Sequence, residues 1–244
     1  MQPERLSPHD WLTRQPLKSD ERLFVILANA SDAEPLQAWR SSSPEHPAAP
    51  IWADTVYAEW EAVMPYVAIV AVGSEFLQWV ATTEACDWGW LVVSAAPPDL
   101  LVEHLRGLTQ VRLPDGSAVF FRFWDGRFLQ PILQCPQVDA TRLLPFARRC
   151  LINGQSFEIH APVLGASRDF PWWQVPEALL DQLAGHSTVT QVSNLLNWLS
   201  EHHPDLFEAF SDSVLQRKVS VFLEAPEPSP MALVQYLKTE LTPL

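Results

Sequence analysis

The sequence predicts an α/β fold, with a mixed sheet of about five strands covered by helices and a smaller α-helical lobe after it. Two observations support this class. In the first 150 residues, short and nearly continuous apolar runs alternate with helical patterns, as in sheets whose strands are buried on both faces. After about residue 150, apolar residues recur with helical spacing instead. We therefore predict an α/β domain over residues 1–150 and a helical lobe over residues 151–244.

The apolar runs of the first domain predict its central strands, and the segments between them predict helices. The strands are expected at residues 23–28, 66–72 and 90–94. Helices are expected where apolar residues share one face, and a proline suits the first turn of a helix. The predicted helices cover residues 35–41, 55–63, 75–86 and 100–106.

A β-hairpin follows these elements. The sequence PDG at 114–116 predicts its turn, and residues 118–124 predict its second strand. Side chains alternate along a strand, so Phe120, Arg122 and Trp124 are expected on one face. Arg122 would then lie between two aromatic rings.

The predicted helical lobe contains four helical patterns separated by short breaks. The second of them carries an apolar stripe that includes Val192 and Leu199, which we expect to face the core of the lobe. A segment rich in proline and glutamate at 224–230 has the composition of a linker. The patterns cover residues 176–184, 189–202, 206–223 and 231–241.

Composition and charge exclude several classes of function. Lysine and arginine number 16 against 29 acidic residues, and the net charge of -13 disfavours nucleic-acid and anionic-membrane partners. Three cysteines without CxxC spacing indicate neither a disulfide framework nor a zinc site. No apolar run approaches the roughly 20 residues of a membrane span, and the first residues do not resemble a secretory signal. We expect a cytoplasmic protein with no cofactor or metal. The chain is also rich in tryptophan, with 11 such residues.

One stretch of the chain concentrates basic residues and allows two interpretations. In an enzyme acting on a small anionic substrate, His104 would be the general base, with Arg122 and Arg127 as an anion clamp. In the structural interpretation, which we favour, Arg122 and Arg127 pair with Asp125 or Asp115 and hold the hairpin end. The stretch contains His104, Arg106, Arg112, Asp115, Arg122, Asp125 and Arg127.

Short motifs in this stretch occur in the order found in a known family. The chain has HLR at 104–106, LPDG at 113–116 and FRFWDGRFL at 121–129. This set resembles the signature of the bacterial type VI secretion effector chaperones, or adaptor proteins (domain of unknown function DUF4123). The resemblance covers about residues 20–135.

The resemblance implies a non-enzymatic cytoplasmic protein that serves bacterial toxin delivery. Such an adaptor binds a cognate toxic effector, often near the N-terminal region of the effector. It then helps to load that effector onto the VgrG spike or its PAAR tip. The motif residues expected to be structural or to contact a partner are His104, Arg106, Asp115, Gly116, Arg122, Trp124, Asp125 and Arg127.

An adaptor must present apolar surface to its client, and tryptophan is enriched at such interfaces. Outside the predicted core elements, Trp52, Trp172 and Trp173 are candidate client contacts, with plain core packing as the alternative for each. Besides the enzyme, a general protein-interaction module unrelated to secretion also remains open.

Overall fold

The computed structural model of the chain describes residues 5–43, 45–160, 168–223 and 229–241. Its contacts divide the chain into two units, Met1–Leu179 and Leu180–Leu244. The sequence predicts the boundary at residue 150, but a strand at 155–158 pairs with one at 147–152. The larger unit therefore extends about one strand and one irregular segment further than predicted.

A six-stranded sheet forms the centre of the larger unit, and a separate two-stranded hairpin lies outside it. The α/β class is confirmed. Every pairing in the large sheet is antiparallel, whereas the sequence predicts a mixed sheet. In sheet order, the six strands are β2 (Ala49–Pro50), β3 (Pro65–Val70), β1 (Arg22–Ala28), β4 (Gly89–Ser94), β7 (Ala147–Ile152) and β8 (Gln155–Glu158); β5 (Gln110–Arg112) and β6 (Ala118–Phe120) form the hairpin.

Both faces of β1 and β4 are buried, which explains why these strands are apolar at nearly every position. On one face, Leu23, Val25 and Leu27 share a buried cluster with residues of three helices. Phe24 and Ile26 alternate with them and are buried on the other face. The first face is covered by α1 (Pro8–Arg14), α2 (Pro35–Ser42) and α3 (Glu75–Thr82); α4 (Pro98–Gly107) and α5 (Gly126–Gln134) follow in the chain, with α6 (Ala140–Leu143) after them.

The segment at 55–63, predicted as a helix, consists of turns that end in a short 3-10 helix, Glu61–Val63. Asp54 just before it has a φ of 61°, a left-handed conformation that does not lead into an α-helix. Aromatic side chains of the segment pack on Phe120 of β6 instead. Tertiary packing thus overrides the local helical pattern at this position.

The predicted second strand of the hairpin is also shorter than expected. Pairing in β6 ends at Phe120, and the prediction of a strand over 118–124 is wrong beyond that residue. The N–H of Phe121 still donates to the C=O of Thr109, after which the chain turns into α5. Helices α1, α5 and α6 and strands β2, β7 and β8 were not predicted from the sequence pattern.

The smaller unit is helical, but two predicted helix boundaries are wrong. Helix α7 (Glu177–His202) runs without interruption through the predicted break after residue 184. The predicted helix at 206–223 is divided into α8 (Pro204–Glu208) and α9 (Asp212–Phe222), and α10 (Pro230–Leu241) follows. Most of the predicted linker at 224–230 lies outside the described residues. The core of this unit is Val192, Leu199, Leu206, Leu215, Val219, Leu233, Val234 and Leu237.

One buried tryptophan joins the large sheet to the start of α5. Trp90 on β4 is fully buried, and its Nε1 donates to the C=O of Phe123 at 2.9 Å. Replacing Trp90 with phenylalanine removes the donor and leaves that carbonyl unpaired. Because an unpaired buried polar group costs about 1–3 kcal/mol, we expect Trp90→Phe to lower the free energy of unfolding by at least that amount. Urea denaturation measures the loss.

Trp79→Phe is the matched control for this substitution. Trp79 is a partly buried ring of α3 stacked on Phe76, and its indole N–H donates no hydrogen bond within the described residues. The control should cost clearly less than Trp90→Phe. Equal losses for the two variants would show that ring size, and not the hydrogen bond to Phe123, determines the effect.

Candidate functional site

The three motifs lie on consecutive elements of the larger unit. HLR forms the last turn of α4, LPDG forms the turn between β5 and β6, and FRFWDGR leads from the end of β6 into the first turn of α5. Gly116 has a φ of 89°, so the turn requires a glycine there. The motif residues are thus placed around one hairpin.

Asp115 shapes the hairpin turn and pairs with no arginine in the described residues. Its carboxylate accepts hydrogen bonds from the backbone N–H and the hydroxyl of Ser117, at 2.8 and 2.6 Å. These bonds hold the pKa of Asp115 below its ordinary value. Arg112 donates to the C=O of Gly116 at 3.1 Å, which closes the turn from the other side.

The acidic partner of the arginines is Asp125, whose side chain is fully buried. It accepts from Nε and Nη2 of Arg127 at 3.1 and 2.8 Å, and from Nη2 of Arg122 at 3.1 Å. It also accepts from the backbone N–H of Arg127 at 3.0 Å, so it is the N-cap of α5. Asp125 raises the pKa of Arg127, which makes a second ion pair with Asp87 at 3.2 Å. One carboxylate therefore bridges two arginines and starts a helix.

Arg122 does not lie between Phe120 and Trp124, because the chain leaves the strand after Phe120 and the alternation of side chains ends there. Its guanidinium lies 5.1 Å from the ring centroid of Phe128 on α5. Trp124 is buried instead and packs edge-on against Trp52, with ring centroids 5.1 Å apart.

His104 is a buried side chain of the interior. Its Nε2 lies 2.8 Å from the C=O of Leu143, and its ring packs edge-on against Phe146 and Trp172. Burial lowers the pKa of His104, and the nearby charge of Arg168 lowers it further, against the opposing effect of the Leu143 carbonyl. The ring is therefore neutral, and its Nε2–H donates to Leu143.

The structure does not bring His104 together with Arg122 and Arg127. His104 contacts α6 and the segment of Trp172, while the two arginines share Asp125. The described residues form four surface cavities, of about 430, 130, 410 and 320 Å³. Neither His104 nor Arg122 nor Arg127 contributes to the lining of these four. The most voluminous of these cavities is lined mainly by apolar residues of β3 and α4.

Arg106 of the HLR motif binds the turn segment at 51–64. Its Nε donates to the C=O of Ile51 at 2.9 Å, and its own C=O accepts from the hydroxyl of Thr109 at 2.7 Å. That hydroxyl in turn accepts from Nε1 of Trp52 at 3.0 Å. The start of the turn segment at 51–64 is thus fixed to the end of α4 by a chain of three hydrogen bonds.

Above Trp52, this segment and β6 form a cluster of aromatic rings that reaches the surface. Trp60 and Phe120 are stacked, with centroids 5.5 Å apart and planes 21° apart, and they are 47% and 41% exposed. Tyr57 packs against both rings at 5.2 and 5.0 Å. Val56 and Val63 of the same segment are also exposed. We call Val56, Tyr57, Trp60, Val63 and Phe120 the aromatic face.

Of the tryptophans predicted as client contacts, Trp52 and Trp173 are buried, and the alternative of core packing holds for both. Trp173 stacks on Phe121 at 5.7 Å. Trp172 is half-buried, with Arg168 over its ring at 5.1 Å.

The exposed tryptophan is Trp60, which sequence reasoning missed because it was placed on a predicted helix. A signal was present, since Trp60 stands between Glu59 and Glu61, and charged residues on both sides indicate a solvated position.

The described residues offer neither a metal centre nor a membrane-spanning helix. No group of three or more histidine, cysteine, aspartate or glutamate side chains is arranged to hold a metal ion there. None of the helices described is both long enough and apolar enough to cross a membrane.

We predict that Asp125→Ala lowers the free energy of unfolding by about 2–4 kcal/mol, because it removes a helix cap and the buried partner of two arginines. Arg122→Ala should cost about 1 kcal/mol, because Arg122 is 45% exposed and Arg127 still neutralises Asp125. Asp115→Ala, which removes an exposed carboxylate of the same motif set, is the control and should cost clearly less than Asp125→Ala, because its two hydrogen bonds to Ser117 are exposed to solvent. An Asp125→Ala variant as stable as the Asp115→Ala variant would contradict this account of the motif.

The buried, neutral state of His104 makes stability depend on pH. The folded state binds a proton at His104 less readily than the unfolded chain, so protons favour unfolding once the pH falls below about 6.5. The wild-type protein should therefore lose stability relative to His104→Gln as the pH is lowered through that value. Denaturation of both proteins from neutral to mildly acidic pH measures the difference, in which the other histidines cancel. A difference that stays constant with pH would contradict a buried, neutral His104.

Comparison with known proteins identifies the domain that carries these motifs. The family described as Domain of unknown function (DUF4123) matches residues 23–142. Comparisons with curated proteins and with solved structures gave no match. The matched range includes the three motifs, Asp125 and the whole aromatic face. The chain therefore carries a domain of the DUF4123 family over residues 23–142, as the order of its motifs predicts.

Proposed function

We propose that this protein is a non-enzymatic adaptor of bacterial type VI secretion. In the cytoplasm it would bind a cognate toxic effector and help to load it onto the VgrG spike or its PAAR tip. The resemblance of the motifs to effector chaperones supports the proposal. The observation that carries it is that all three motifs fix the position of one exposed aromatic face.

Each motif contributes a different part of that support. In HLR, Arg106 holds the C=O of Ile51 at the start of the turn segment. LPDG closes the hairpin that carries Phe120. In FRFWDGR, Trp124 packs beneath Trp52 and is followed directly by the anchored Asp125.

Trp52 connects these supports to the surface. Its buried ring lies 6.3 Å from Phe120 and 6.4 Å from Trp60, centroid to centroid. The two exposed rings therefore rest on a fixed aromatic base. A side chain held in one position before binding loses less conformational freedom when a partner docks.

The composition of the aromatic face suits a protein partner. Exposed tryptophan, tyrosine and phenylalanine side chains offer a large contact area, and such residues are enriched where proteins bind one another. Contiguous exposed apolar surface mostly marks an interaction site. The net charge of -13 keeps a chain with such a face in solution.

The test is co-expression of the full chain with the effector and the VgrG spike encoded beside it, followed by affinity purification. The proposal predicts that the effector co-purifies with the wild-type chain and that its secretion falls when the chain is deleted. Trp60→Ala combined with Phe120→Ala should remove the effector from the complex. Because both rings are about half exposed, this variant should still unfold cooperatively.

Ile69→Ala combined with Val72→Ala is the matched control, since these side chains of the same domain are 43% and 62% exposed outside the aromatic face. The control should retain the effector. Undiminished effector secretion after deletion of the chain would contradict the adaptor role. Recovery of the spike without the effector would contradict effector binding.

A further inference from the structure

Four of the five residues of the aromatic face, all except Phe120, lie in a part of the chain that has a single sign of charge. The 65 residues from Ser41 to Leu105 contain nine acidic residues and no lysine or arginine. Asp54, Glu59 and Glu61 belong to the same turn segment as Trp60, and all three are exposed. Glu59 and Glu61 directly flank Trp60 in sequence. The exposed tryptophan is therefore accompanied by uncompensated carboxylates of its own segment.

The arginines of the elements packed next to this segment make their contacts elsewhere than with its carboxylates in the described residues. Arg106 donates to the C=O of Ile51, and Arg112 donates to the C=O of Gly116. Arg122 pairs with Asp125, and Arg168 lies over the ring of Trp172. No ion pair within the described residues involves Asp54, Glu59 or Glu61.

We propose that the aromatic face binds a segment of the partner protein that presents an arginine side chain, with the guanidinium on the exposed rings of Trp60 and Phe120. This inference rests on the proposed function, which makes the same face the docking surface. It adds the chemistry of the partner: a basic segment carrying arginine next to apolar residues, and not a purely aliphatic segment or a second copy of this acidic chain.

Two properties of the guanidinium match what the face offers. It is planar and weakly hydrated, so it stacks on aromatic rings, and tryptophan is the strongest of those partners. It also retains its charge at every physiological pH, and the exposed carboxylates of Glu59 and Glu61, which make no ion pair in the described residues, attract it. Lysine would satisfy the charge but would not provide the planar stacking.

A random peptide library displayed on phage and selected on the immobilised full chain tests the inference without any secretion protein. We expect the selected peptides to be enriched in arginine next to apolar residues. Replacing that arginine with lysine should weaken binding of the synthetic peptide, and replacing it with neutral citrulline should weaken it further. Trp60→Ala should reduce affinity by about tenfold or more, since that factor corresponds to one good cation–π contact. Binding should also weaken with added salt.

Glu59→Gln combined with Glu61→Gln should reduce affinity for the arginine peptides while the protein stays folded. Glu84→Gln combined with Glu103→Gln removes two exposed charges elsewhere in the same domain and should leave affinity unchanged. Selected peptides without arginine, or arginine peptides that bind the Trp60→Ala variant as well as wild type, would overturn the inference. Peptides that are purely aliphatic but still need Trp60 would overturn the arginine assignment and leave the adaptor role standing, because loading of the effector is measured separately.

Discussion

The buried carboxylate of Asp125 is the interaction on which the functional region depends. It accepts four hydrogen bonds, three from Arg127 and one from Arg122, and it caps α5 at the point where the hairpin ends. A buried charge is tolerated only when it is paired, so the two arginines and the aspartate form one unit that substitution of Asp125 disrupts. Phe123 and Trp124, the two residues before it, are held against Trp90 and Trp52. The position of this carboxylate therefore determines the base of the aromatic face.

This arrangement explains how a group of arginines, an aspartate and a histidine can resemble a catalytic site in sequence without forming one cluster in space. The arginines share a buried acid, and His104 donates to a backbone carbonyl on α6. The Nε of Arg106 donates a hydrogen bond to the C=O of Ile51, in the turn segment that carries Trp52. The polar motif residues hold neighbouring elements together through hydrogen bonds and ion pairs. The surface that they support is aromatic and acidic. In the proposed adaptor role, that surface would recognise the partner, and the motifs would supply the rigidity that recognition requires.

Much of the fold could be predicted because local patterns decide it. The three central strands and helices α2, α3 and α4 follow from apolar runs, periodicity and proline positions, and the PDG turn follows from the need for a glycine at Gly116. The pairing of Arg122 and Arg127 with an acid was also predicted, although the choice of Asp125 over Asp115 needed the structure. What could not be predicted depends on distant residues. The segment at 55–63 loses its helix because Tyr57 and Trp60 pack on Phe120, about sixty positions away in sequence. The exposure of Trp60 and the burial of Trp52 are decided by the same packing.

The central claim is that partners dock on the aromatic face of the DUF4123 domain. Site-specific photocrosslinking in cells that co-express the proposed partners tests it most directly. One photoreactive phenylalanine analogue is placed at Ala62, which is exposed beside Val63, and a second at Ala81, which is exposed on α3. If the proposed adaptor role holds, we expect a crosslink from position 62 to a co-expressed effector or VgrG spike, and none from position 81. Crosslinks to either protein from position 81 with none from position 62 would contradict it.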